Sequence, residues 1–131
     1  MRQRPIHQVT VVGVGLLGGS VGLAAKAADE GIRVVGVGRR RSSLRRALDV
    51  GAIDRATLDT ADGVAGADVV ILATPMAAYE QHLLSMAPVL RHGAAVTDVG
   101  STKALVVQLA EAILAAGQTP QNRDLVYIEP R

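Results

Sequence analysis

The chain has 131 residues, a formal net charge of +2, no cysteine, and Tyr79 and Tyr127 as its only aromatics. That length suits one domain with a real core. The small charge argues against a broad nucleic-acid surface, and the missing thiols exclude disulfides, zinc–thiolate sites and a cysteine nucleophile. Met1-Arg2-Gln3-Arg4-Pro5 leads into a strand without an apolar signal core, and no apolar run reaches membrane-spanning length. The expectation is a cytoplasmic protein with neither a nucleic acid nor a membrane as partner.

Val9-Thr10-Val11-Val12 reads as a buried strand, followed at once by Gly13-Val14-Gly15-Leu16-Leu17-Gly18 and a helix from about Leu16 to Ala28. Glycines at a strand-to-helix turn let the backbone close tightly and bring amide N–H groups against a dinucleotide's pyrophosphate. In this pattern Gly13 serves the turn, Gly15 the approach of the phosphates, and Gly18 the packing of the helix on the sheet. Asp29-Glu30-Gly31 ends the helix, and Ile32–Val37 forms the second strand.

About twenty residues beyond the last fingerprint glycine, an NAD-binding chain carries an acid for the ribose 2′-hydroxyl. Here the count reaches Gly38, followed by Arg39-Arg40-Arg41-Ser42-Ser43, with no carboxylate. Five of the fourteen basic residues fall between Arg39 and Arg46. A guanidinium fork and serine hydroxyls at that place suit a 2′-phosphate, so the expected cofactor is NADP, with Arg39, Arg40, Ser42 and Ser43 around the phosphate. Arg45 and Arg46 read as an ordinary solvated helix face. Ser42 or Ser43 is expected to cap the next helix, which runs to Gly51.

Ala52–Asp59 reads as an irregular connection with room for a short strand, and Ala61–Ala65 as a helical turn. Asp68–Ala73 is a strand ended by Thr74-Pro75, and a helix is expected over Ala77–Leu90, with Pro88 kinking or shortening it. Ala94–Thr97 is the next strand, closed by Asp98-Val99-Gly100-Ser101, and a helix from Thr102 to about Ala116 follows. Strands and helices alternate throughout, which predicts an α/β fold: a doubly wound parallel sheet of the Rossmann type. Residues 1–117 are expected to form this domain, and residues 118–131 a tail with Leu125–Ile128 as a last short strand. Thr74, Pro75 and the Asp98–Ser101 loop end strands on the cofactor's side, so they are expected near the nicotinamide.

A general base for a substrate hydroxyl would most simply be a histidine. His7 precedes the first strand, His82 lies within a helix, and His92 enters a strand at its N-terminal end. All three are expected to lie on the surface, away from the crevice.

Gly13–Lys26 (GVGLLGGSVGLAAK), Gly51-Ala52-Ile53-Asp54, Ala67–Pro75 (ADVVILATP) and Val96–Lys103 (VTDVGSTK) together resemble the prephenate/arogenate dehydrogenase family of tyrosine biosynthesis, in consistent order over about residues 8–116. The resemblance implies an oxidoreductase that passes a hydride to NAD(P)+ while the substrate, prephenate or arogenate, loses CO2 and becomes aromatic. It implies that Gly13, Gly15, Leu16, Leu17 and Gly18 hold the pyrophosphate, and that Arg39, Ser42 and Ser43 hold the 2′-phosphate. Thr74 and Pro75 would line the nicotinamide site, and Ser101 would stand beside the reacting hydroxyl in a catalytic role.

Family members continue past the Thr102–Ala116 helix into a His-Pro-x-Ala-Gly segment bearing the catalytic base, then into a helical substrate and dimer domain. This chain has no histidine beyond His92. It therefore reads as the cofactor half of the enzyme, cut before the catalytic histidine and inactive alone, with self-association expected through the apolar face left uncovered. A non-catalytic NADP-binding module, or one subunit of a split assembly, is the alternative. Another small reductase, acting on imines or β-hydroxyacids, is disfavoured by Val99-Gly100-Ser101-Thr102-Lys103.

Overall fold

The computed structural model describes residues 6–99 and the backbone of 126–128. The first strand, β1 (Gln8–Val12), leads into α1 (Leu16–Ala28), and β2 (Arg33–Val37) into α2 (Arg41–Asp49). Then come β3 (Arg55–Thr57), α3 (Thr60–Val64) and β4 (Val69–Leu72). A single 3₁₀ turn at Met76–Ala78 runs into α4 (Tyr79–Met86), and β5 (Ala95–Asp98) and β6 (Val126–Ile128) complete the sheet. Every strand pair is parallel, and the order is β3-β2-β1-β4-β5-β6. This is the doubly wound Rossmann arrangement: the chain runs outward from β1 in one direction, then returns to start again on its other side at β4. The crevice at the carboxyl ends of β1, β2 and β4 is therefore fixed by topology. The expected helix Thr102–Ala116 and the Gly100–Ser101 part of the loop before it lie outside the described residues.

The strands alternate their side chains between two cores. Val9, Val11 and Val34 meet Leu44, Ala47, Ala52 and Ile53 on one face. Val12, Val37, Val70, Leu72 and Val96 meet Tyr79, Leu83, Met86 and Leu90 on the other. Both faces are covered, which explains why β1, β2 and β4 read as largely apolar runs. Thr10 is the polar exception inside β1. It is fully buried, and its hydroxyl donates to the Gly63 carbonyl at 2.7 Å, so the group carries no unmet hydrogen-bond cost.

Two carboxylates tie strand starts to their neighbours. Asp54 accepts from Lys26 Nζ at 2.6 and 2.8 Å and from the Val34 amide at 2.8 Å. Asp68 accepts from the His7 and Gln8 amides at 2.7 and 2.9 Å and pairs with Arg91 at 2.8 Å. Burial works against both charges, yet these donors and cations hold both carboxyls below the usual carboxylate range.

Two elements differ from the sequence expectation. The helix α2 begins at Arg41 with Arg40 as its cap residue, so Ser42 and Ser43 fall inside its first turn and neither caps it. The turn from β2 needs only Gly38–Arg40, which starts the helix earlier than the serines suggested. Similarly, α4 ends at Met86 rather than Leu90, because Pro88 has no N–H to continue the ladder; the Val89 and Leu90 amides both turn back to the Met86 carbonyl. At the other edge, the stretch after Ala52 does hold a strand, β3, paired with β2.

Val21 and Ala25 pack α1 against the core, and glycine stands where the helix comes closest to neighbouring backbone. A Cβ on Gly18 would sit 1.8 Å from the Gly13 carbonyl oxygen, and one on Gly22 would sit 2.2 Å from that of Ala52. Gly19, one position on from Gly18, would meet nothing within 4 Å. Gly22→Ala is therefore expected to lose about 1–3 kcal/mol through overpacking against backbone. Gly19→Ala should gain up to about 1 kcal/mol from helix propensity. Urea unfolding midpoints decide it, and equal midpoints for the two variants would contradict this packing.

Candidate functional site

The turn after β1 is built around one strained position. Gly13 has φ +99°, a conformation other residues rarely adopt, and a Cβ there would lie 2.8 Å from both the Ala73 carbonyl oxygen and Thr74 Cγ2. Its amide donates to the Val37 carbonyl at 2.7 Å. The turn thus sits at the meeting of β1, β2 and β4, and the next residues open α1 over the sheet.

Gly15 is the N-cap residue of α1 and provides no side-chain cap. A Cβ added there would meet nothing within 4 Å. Free helix amides, a positive helix end and empty space above them together form a place for an anionic group. The neighbouring side chains do not fill it. Leu16 is 88% and Leu17 60% exposed, so only their amides can serve a ligand. Gly18 is buried beneath the helix and acts by packing.

A cleft of about 770 Å³ opens here. It brings together Gly13, Gly15, Arg39, Arg40, Ser43, Thr74 and Pro75, seven of the residues singled out in the sequence. Arg39 and Arg40 supply positive charge from the β2–α2 turn, and α2 also begins without a side-chain cap. On the opposite side, Thr74 Oγ1 is buried with no hydrogen-bond partner among the described residues.

Ser42 does not join them. It is exposed and lines a neighbouring cavity with Arg41, Leu44 and Arg45, because consecutive residues on a helix point about 100° apart. Of the two serines, Ser43 faces the cleft. Ser101 lies outside the described residues.

The histidines divide as well. His7 and His92 are exposed and precede the N-terminal ends of their strands, away from the cleft. His82 contradicts the expectation: it is half-buried and lines the cleft, with Nδ1 3.0 Å from Thr60 Oγ1. Burial first, and then the charge of Arg39, keep it below the usual imidazole pKa, so it favours the neutral form. Leu58, Thr60 and Gln81 line the same end and were also missed. One signal was present in the sequence. Tyr79, Leu83 and Met86 mark the buried stripe of α4, and His82 flanks it, three residues from Tyr79.

The arrangement is an elongated cleft with an uncapped helix end at its middle, cations toward β2 and small residues toward β4. Among the described residues there is no cluster able to hold a metal ion and no helix long and apolar enough to cross a membrane.

Comparison with known proteins agrees with this geometry. A family model described as the nucleotide-binding domain of prephenate dehydrogenase matches residues 21–120. A prephenate dehydrogenase of Bacillus subtilis is 36% identical over 110 residues, covering 81% of this chain and 29% of that protein. The solved structure of prephenate dehydrogenase from A. aeolicus in complex with hydroxyphenyl propionate and NAD+ superposes with a TM-score of 0.79 at 26% identity, covering 95% of this chain and 47% of that one. Synechocystis arogenate dehydrogenase gives 0.72 at 29% identity, covering 81% and 37%. The chain thus spans less than half the length of each of these relatives.

Proposed function

The chain belongs to the prephenate dehydrogenase family through its nucleotide-binding domain, and on that premise we propose that it is the NADP-binding part of a cytoplasmic prephenate or arogenate dehydrogenase. The observation that carries the cofactor choice is the end of β2: Gly38 where an acid would hold a ribose diol, and Arg39, Arg40 and Ser43 facing the cleft. An acid there would repel a 2′-phosphate; the guanidinium groups attract it.

The residues present fit such a cofactor. The open space above Gly15 and the uncapped amides of α1 suit the pyrophosphate. Arg39, Arg40, Ser43 and the free N-terminus of α2 suit the 2′-phosphate. Thr74 and Pro75, at the carboxyl end of β4, flank the place of the nicotinamide, where the buried Thr74 hydroxyl can hydrogen-bond a polar edge. When bound, the nicotinamide supplies a hydride acceptor for the substrate's hydroxyl-bearing ring carbon as its carboxylate leaves as CO2. The chain's own part is to hold that ring at a fixed height over the sheet and to neutralise the phosphates. Ser101 is proposed to stand beside the reacting hydroxyl and help orient it. Neither His7 nor His92 can be its base, since both lie at the opposite end of the strands, and His82 meets Thr60 on the β2–β3 side of the cleft, across β1 from Thr74 and Pro75. The polypeptide by itself is therefore proposed to be catalytically silent.

Calorimetric titration of both dinucleotides into the 131-residue chain tests this reading. NADP+ is expected to bind at least about tenfold tighter than NAD+, a difference of about 1.4 kcal/mol. Equal affinities would overturn the NADP assignment, and binding of neither would overturn the site itself.

A further inference from the structure

We infer that His82, held by Thr60, recognises the adenine base of the dinucleotide. The inference rests on the cofactor reading above and assigns a role to a residue of the cleft which that reading leaves unused.

Topology decides which end of the cleft His82 occupies. Thr60 opens α3, which follows the edge strand β3, so the Thr60–His82 contact lies on the β2–β3 side of β1. The nicotinamide side lies across β1, at Thr74 and Pro75. His82 therefore belongs to the adenosine half.

The chemistry of the neighbours then decides between base and phosphate. Arg39, Arg40 and Ser43 approach from the β2–α2 turn, whereas His82 approaches from α4, with Ala78, Gln81 and Leu58 also lining the cleft. The carbons of Leu58 and Ala78, beside the uncharged hydrogen-bonding groups of His82 and Gln81, suit a flat heterocycle better than a dianion. The imidazole is disposed to be neutral, by burial and by the Arg39 charge, and a neutral ring pairs with an uncharged base without needing a proton. Its Nδ1 is engaged by the Thr60 hydroxyl at 3.0 Å, which fixes the ring and leaves Nε2 for the ligand.

Four ligands and two variants test this. AMP carries adenine without a 2′-phosphate, and ribose 5-phosphate carries neither. The His82 imidazole resonances are expected to shift on titration with AMP and to stay fixed with ribose 5-phosphate. His82→Leu should weaken NAD+ and NADP+ by the same factor, about five- to tenfold, the scale of one net hydrogen bond. Thr60→Val, which keeps the shape and removes the hydroxyl, should weaken both equally and by less. Thermal melts of both variants identify any loss that comes from misfolding, and the resonance shifts of the parent chain need no variant.

A loss confined to NADP+ would place His82 on the phosphate and overturn the assignment, as would a shift with ribose 5-phosphate equal to that with AMP. If the Gly15 amide responds to NADP+ while His82 does not, this inference fails and the cofactor reading stands. If neither responds, the cofactor reading fails.

Discussion

Gly15→Val is expected to abolish measurable binding of both NADP+ and NAD+, a loss of at least about a hundredfold, or about 2.7 kcal/mol, in a protein that remains folded. The position permits the substitution structurally. Gly15 has φ −69°, lies exposed at the start of α1, and has open space where the Cβ would go. Valine is a poor N-cap, which costs the helix about 1 kcal/mol. Its methyl groups, however, occupy the open space beside the α1 amides, so an anionic group is pushed away from both the N–H donors and the positive helix end. Gly13→Val would be no substitute, because φ +99° and the Ala73 carbonyl would break the turn itself. Calorimetry with both dinucleotides, alongside circular dichroism, reads the result. Affinity within about threefold of the parent, with the fold intact, would mean that the pyrophosphate does not rest at this turn.

The second large effect is inversion of cofactor preference. Gly38→Asp combined with Arg39→Ala should turn a preference for NADP+ of at least tenfold into one of similar size for NAD+, a swing of about a hundredfold, or about 2.7 kcal/mol. That magnitude lies within the range of about 1.5–3 kcal/mol for a hydrogen bond to a charged group, and the new carboxylate adds repulsion of the 2′-phosphate while offering acceptors to a ribose diol. A Cβ on Gly38 would lie 3.0 Å from Leu44 Cδ2 and 3.1 Å from its Cγ, so the substitution requires this buried leucine to shift by a few tenths of an ångström. Parallel titrations of the two dinucleotides into parent and double variant measure the swing. An unchanged ratio would show that Arg39 does not read the phosphate and that position 38 does not face the ribose.

Much of this was legible in the amino-acid order, because the relevant physics is local. Apolar runs at Val9–Val12 and Val69–Leu72 form strands wherever helices cover both faces, and the glycines of 13–18 impose their turn through φ and close approach within six residues. The alternation of strands and helices then leaves few topologies, and the right-handed crossover of parallel units selects the observed one. The positive turn at Arg39–Arg40 follows directly from the end of β2. What local order did not specify was facing. Ser42 and Ser43 are adjacent and chemically alike, and only the starting point of α2 at Arg41 sends one to the neighbouring cavity and the other to the cleft. His82 reads as a surface residue in the sequence because, although it flanks the buried stripe of α4, nothing local shows which element packs beside it. Its place in the cleft depends on α3, reached through β3, coming to lie against α4 and placing Thr60 at its ring. Strand, turn and cofactor class were thus determined by the sequence itself, through backbone geometry and hydrophobic periodicity. Which side chains meet at the β2–β3 end of the cleft was decided only in the tertiary structure, because contact between elements far apart in the chain depends on how whole faces pack.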